Sequence, residues 1–154
     1  MAWIHRILGR FIRPQPRHLP PGSGRAERGR FGEDLAEDFC RWDLGYRIVR
    51  RNWRRGRDEI DLVCRDGSVL VFVEVRARDE HALVPGYYSV DRHKKRVLQR
   101  ACKAYMKALR RPPAHFRFDI IEVSISKEGV GRVRHYANVT LFHKHYSPLK
   151  GPHA

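Results

Sequence analysis

The run Val69-Leu70-Val71-Phe72-Val73 limits what this chain can fold into more than any other segment. Five consecutive apolar residues read as a strand buried on both faces, which calls for a sheet sandwiched between two other layers. The run follows Asp66-Gly67, a strong hairpin-turn signal, and is interrupted by Glu74 and Arg76. Charges seldom enter such a strand without a partner or a task, so a site is to be sought here.

The flanking periodicities give the order of the other elements. From Glu27 to Leu44 the spacing is helical, with Phe31, Leu35, Phe39 and Trp42 on one stripe and Gly45 placed to end the helix. Strand patterns at Tyr46–Trp53 and Asp58–Arg65 lead into the third strand, Val69–Arg78. Residues 91–111 return to helical spacing with Val97, Ala101, Tyr105 and Ala108 inward. Strands at Phe116–Ser124 and, more weakly, Arg132–Leu141 complete the order αβββαβ with a last strand.

The chain's 154 residues suffice for one domain with its own core. Residues 1–25 form a basic, proline-rich extension expected to be flexible, in which Trp3, Ile7 and Phe11 share a helical face before the prolines. Residues 26–145 form the domain and 146–154 a tail. No apolar run approaches a membrane span, so a soluble protein without integral membrane association is expected. Cys40, Cys64 and Cys102 are too widely spaced for a CxxC motif and odd in number, which fits buried thiols in a reducing cytoplasm.

Lysine and arginine number 32 against 17 acids, a net charge of +15 that favours a polyanionic partner, foremost nucleic acid. Two stretches carry much of it. Arg50, Arg51, Arg54, Arg55 and Arg57 surround Trp53 at the first hairpin, a basic finger suited to phosphates with an aromatic to stack on. Lys94, Lys95, Arg96, Arg100, Lys103 and Lys107 form a second stripe along the later helix. A merely solubilising face would mix signs. There is no phosphate-binding glycine loop ending in Lys-Ser/Thr and no GxSxG elbow, so nucleotide hydrolysis and acyl transfer lack support.

Strand alternation puts Glu74 and Arg76 on one face with Leu70 and Phe72. If Asp66-Gly67 is a two-residue loop, Arg65 faces Ser68 and Asp61 faces Phe72, one diagonal step from Glu74. Two carboxylates about 5 Å apart repel by roughly 3 kcal/mol at an effective dielectric near 20. A bound cation relieves that cost, and oxygen ligation with few protein ligands suits Mg²⁺ or Mn²⁺. The structural alternative is a buried ion pair with Arg76, which leaves the second carboxylate unexplained. Glu33, at the edge of the buried face of the first helix, is positioned to offer a further carboxylate.

Gly29-Arg30-Phe31-Gly32-Glu33, Arg51-Asn52-Trp53-Arg54, Glu59-Ile60-Asp61-Leu62-Val63, Val71 to Arg78, the helix with Lys94, and Arg117-Phe118-Asp119-Ile120-Ile121 occur in this order. In these segments the chain resembles the YraN-like family of uncharacterised bacterial proteins, regarded as endonucleases of the PD-(D/E)xK superfamily and similar to archaeal Holliday-junction resolvases. The resemblance implies a restriction-endonuclease-like αβββαβ core, a central mixed sheet flanked by helices. It implies Asp61 and Glu74 as metal ligands with the carbonyl of Val75, Glu33 assisting, and Arg76 at the superfamily's lysine position. The expected activity is metal-dependent hydrolysis of phosphodiester bonds in DNA, including branched DNA, and junction-cutting relatives favour a homodimer. The alternative is a non-catalytic nucleic-acid-binding module that keeps the fold.

Overall fold

A computed structural model describes residues 15–82, 90–144 and 146–148. The helical pattern around Trp3, Ile7 and Phe11 lies outside the described residues, as do residues 149–154 of the expected tail. Helix α1 (Arg25–Asp38) runs into a wider π-helical turn at Phe39–Asp43, closed by Gly45 at φ +69°. Strands β1 (Arg47–Arg55), β2 (Asp58–Asp66) and β3 (Val69–Asp79) follow, then helix α2 (Arg92–Ala108) and strands β4 (Phe116–Ile125) and β5 (Gly131–Tyr136).

The five strands stand in chain order in one sheet. All neighbours are antiparallel except β3 and β4, which α2 allows to run parallel by carrying the chain back. Val71 and Val73 pack with Phe31 and Ala36 on the α1 side, and Leu70 and Phe72 with Leu98, Ala101 and Tyr105 on the α2 side. The run Val69–Val73 is therefore the middle of a three-layer α/β core, the arrangement expected of a restriction-endonuclease-like fold. Cys40, Cys64 and Cys102 are buried and free, as expected.

The sheet register differs from the expected one. Asp66 pairs with Val69, Val63 with Phe72 and Leu62 with Val73, so the loop is Gly67-Ser68. Gly67 has φ +54° and Ser68 is not left-handed, the glycine-first pattern of a two-residue hairpin loop, so the loop lies one residue later and each β2 residue faces a β3 residue two positions further on. Asp61 thus comes level with Glu74 instead of Phe72. The inward face of α2 also differs: Leu98, Ala101, Cys102, Tyr105 and Met106 are buried, Val97 is at the margin and Ala108 is exposed. The expected column of four was one edge of the real stripe.

Two contacts fix where α1 sits. A Cβ at Gly32 would lie 2.6 Å from that of Ala77, so only glycine lets the helix approach the C-terminal half of β3 this closely. Ahead of the helix, Leu19 is buried, its N–H donates to Gly129 O at 3.0 Å, and Arg17 pairs with Asp34 and Asp38. Residues Arg17 and Leu19, ahead of the helix, thus contact the domain.

Candidate metal and nucleic-acid site

Both ladders of β2 lapse at Asp61. The β1–β2 pairing passes from Arg51–Leu62 to Trp53–Ile60 and leaves out Asn52, which has φ +47°, while the β2–β3 pairing ends at Leu62–Val73. Asparagine tolerates this left-handed conformation better than most residues. Side-chain alternation breaks there: Leu62 and Cys64 join the α1-side core and Val63 the α2-side core, yet Ile60 joins Val63. Strict alternation would have put Ile60 with Leu62 and Cys64. Past the end of the ladder, the Asp61 carboxylate accepts the Val75 N–H at 2.7 Å, a bond a strand carbonyl would otherwise supply.

Glu74 is only 3% exposed. One of its oxygens, Oε1, lies 3.0 Å from Lys94 Nζ and 3.6 Å from Arg76 Nη1. The other, Oε2, is buried without a hydrogen-bond partner. Burial raises the pKa of Glu74, against the pull of Lys94 and Arg76. Asp61 is pushed up to about 7, first by burial and then by the charge of Glu74, with the Val75 N–H and Lys94 opposing and Glu33 adding to the rise. Glu33 accepts a hydrogen bond from Asn52 Nδ2 at 3.2 Å. The structure thus gathers Asp61, Glu74, Arg76 and Glu33, and adds two residues the sequence reading had placed elsewhere or passed over.

Lys94 is the first of these. It was assigned to the nucleic-acid surface, but α2 delivers it to Glu74. Asp91 caps the helix by accepting the Lys94 N–H at 2.7 Å, which fixes the first turn and the lysine with it. Asn52 is the second, and a polar, left-handed-tolerant residue inside a strand pattern was the available signal. A buried carboxylate oxygen without a partner costs free energy, and an oxygen-seeking cation beside it would recover that cost. The donor set of Asp61, Glu74 and the Val75 carbonyl fits Mg²⁺ or Mn²⁺, although no cluster of three or more His, Cys, Asp or Glu at metal-holding distance occurs among the described residues.

The basic finger is only partly available. Arg51 pairs with Asp34 and Glu37 of α1, and Arg54 with Glu59. Trp53 is half-buried with its ring edge-on to Tyr105 at 5.3 Å, so it serves the core rather than an open stacking platform. Arg50, Arg55, Arg57 and Lys95 are exposed. Arg55, at the hairpin tip, shares a cavity of about 580 Å³ with Arg96, Lys103 and Lys107 of α2, where Arg100 is bound to Asp58 at 2.6 Å. The tip of the finger, at Arg55, and the helix stripe, read separately in the sequence, line one groove.

A five-stranded mixed sheet of this order between two helices makes this an α/β protein, compatible with a restriction-endonuclease-like core. The profile of the uncharacterised protein family UPF0102 matches residues 32–123. UPF0102 proteins of Lawsonia intracellularis and Anaeromyxobacter dehalogenans are 36% and 40% identical over 118 and 115 residues. These alignments cover 77% and 75% of this chain and 88% and 84% of theirs. A third, of Symbiobacterium thermophilum, is 40% identical over 106 residues, 69% of this chain and 89% of that one. The chain belongs to the UPF0102 family, the YraN-like family that its motifs resemble.

Proposed function

We propose that this protein is a divalent-metal-dependent endonuclease that hydrolyses phosphodiester bonds in DNA in the cytoplasm. The observation that carries the reading is the unpartnered, buried Oε2 of Glu74 beside Asp61, whose own carboxyl is held near neutrality. A purely structural pair would not strand a carboxylate oxygen. Asp61, Glu74 and the Val75 carbonyl would hold the cation, which when bound supplies Lewis-acid stabilisation of the phosphodiester and lowers the pKa of water.

The rest falls to the chain. Arg76 and Lys94 set two positive charges around the buried Glu74, placed to stabilise charge that develops on the phosphate. Arginine keeps its proton, so Arg76 orients and stabilises rather than acting as a base. Asn52 holds Glu33, and the groove under the hairpin tip takes neighbouring phosphates.

Lys94 also favours a second reading, a non-catalytic DNA-binding module. Its ammonium at 3.0 Å already neutralises Glu74 without any metal. Single-turnover assays on branched, nicked and single-stranded DNA, with Mg²⁺, Mn²⁺ or EDTA, separate the two. Cleavage that needs metal and vanishes in Glu74→Gln supports the enzyme. Tight binding with equal trace cleavage in the parent and Glu74→Gln supports the module.

A further inference from the structure

A second basic cavity, of about 580 Å³, opens on the other side of the site, between the N-terminal half of α1 and the C-terminal end of β3. Arg25, Arg28, Arg76 and Arg78 line it against a single acid, Asp79, which pairs with Arg28. Arg76 and Val75 belong to both places: Arg76 approaches Glu74, and the Val75 N–H holds Asp61. The cavity and the carboxylate site therefore share the Val75-Arg76 segment of β3.

Gly29 forms part of the wall. It stands inside α1, where glycine is the poorest helix former except proline, and its backbone is not left-handed. Gly32, one turn on, has a packing reason to be glycine; Gly29 has none, because a Cβ there would meet nothing within 4 Å. Packing therefore does not require a glycine here, and a side chain longer than a Cβ at this position would extend toward the cavity. The four guanidinium groups outnumber the acids beside them even with Arg28 paired to Asp79 and Arg76 near Glu74, so the cavity keeps a net positive charge.

We propose that this cavity is a phosphate site, which takes a phosphate of the nucleic-acid strand next to the one at Asp61 and Glu74. The inference rests on the nucleic-acid reading given above. It gives the strand a path across the site, from the groove under the hairpin tip, past Glu74 and Arg76, into the cavity in front of Gly29.

Gly29→Glu brings a carboxylate to the cavity from a position where the added Cβ meets nothing within 4 Å and helix propensity rises. Gly29→Ala improves the helix equally but leaves the cavity open, and Arg25→Ala removes one cation at its mouth. Equilibrium binding of a short DNA duplex to the full-length proteins in EDTA, over about 50 to 200 mM salt, reads the contact as a slope. Gly29→Glu should bind more weakly with a slope smaller by about 1, Arg25→Ala should move the same way, and Gly29→Ala should match the parent. Inorganic phosphate should raise the melting temperature of the parent and Gly29→Ala more than that of Gly29→Glu.

Parental affinity and slope in Gly29→Glu, alongside a weakened Lys103→Ala/Lys107→Ala control, would overturn the phosphate site while leaving the nucleic-acid reading intact. If the parent binds no DNA at all, that reading falls instead. The phosphate arm then decides the cavity alone, since loss of phosphate stabilisation in Gly29→Glu upholds it and equal stabilisation of all variants overturns it.

Discussion

Asp61→Asn should make the metal-free protein more stable, against the usual outcome of removing a buried charge. Its carboxyl moves from an ordinary 3.8 to about 7 because burial and Glu74 both oppose ionisation. The folded value lies above the unfolded one, so the cost is absent below about pH 3.8, grows through the window between, and is complete above about pH 7. A rise of about 3 pH units corresponds to about 4 kcal/mol, which relaxation and water entry reduce to about 2 to 4 kcal/mol. For a chain of this size that is roughly 5 to 15 °C in melting temperature. The amide oxygen of asparagine can still accept the Val75 N–H, so the backbone contact survives.

The assay is thermal melting of parent and variant in EDTA at pH 4, 6 and 8. The gap should open with pH in favour of the variant. With Mn²⁺ at about 100 times its dissociation constant, the parent should gain about 2.7 kcal/mol and the variant almost nothing. If Asp61→Asn melts well below the parent at pH 8 without metal, the carboxylate is a net anchor for the Val75 N–H and Lys94, and the repulsion argument is refuted.

Two further outcomes follow from named contacts. Lys94→Ala and Arg76→Ala should each slow single-turnover cleavage by about 10²- to 10³-fold with far smaller changes in DNA affinity, whereas Arg76→Lys should keep most of the rate; equal losses in binding and rate would make both residues mere phosphate contacts. Asp119 is fully buried; burial would raise its pKa, but hydrogen bonds from His135, the Asn138 N–H and Arg117 outweigh that and hold it below the usual range. Its stabilisation is therefore present above about pH 4 and lost as pH falls through the folded value. Urea unfolding at pH 7 should show Asp119→Asn weaker by roughly 3 to 5 kcal/mol, narrowing below pH 4.

The layer order was legible because buried strands and amphipathic helices impose their periods on the sequence, as Val69–Val73 and the α1 stripe show. Glu74 was legible for the same reason, as a charge where the period demanded a hydrophobe. Ion-pair partners were not. Nothing local marks Arg51 as bound by Asp34 and Glu37, or Arg54 by Glu59, so the finger looked more available than it is. Lys94 was hidden in a run of like charges, and only the docking of α2 distinguishes it from Lys95.

Asp61 is the instructive case, because the rule that revealed Glu74 fails there. Strict alternation across β2 would keep Ile60 with Leu62, and an unbroken ladder would leave the Val75 N–H to a strand carbonyl. Asn52, left-handed and outside the ladder, releases β2 from both constraints, and the Asp61 side chain closes the gap. The carboxylate is then fixed by its bond to β3 instead of by its own strand, level with Glu74 and adjacent to the Val75 peptide. An uninterrupted sheet holds its side chains above and below the strands. The lapse at Asn52 and Asp61 lets an acidic group bond into the ladder itself, which couples the position of Asp61 to the same β3 segment that carries Glu74 and Arg76.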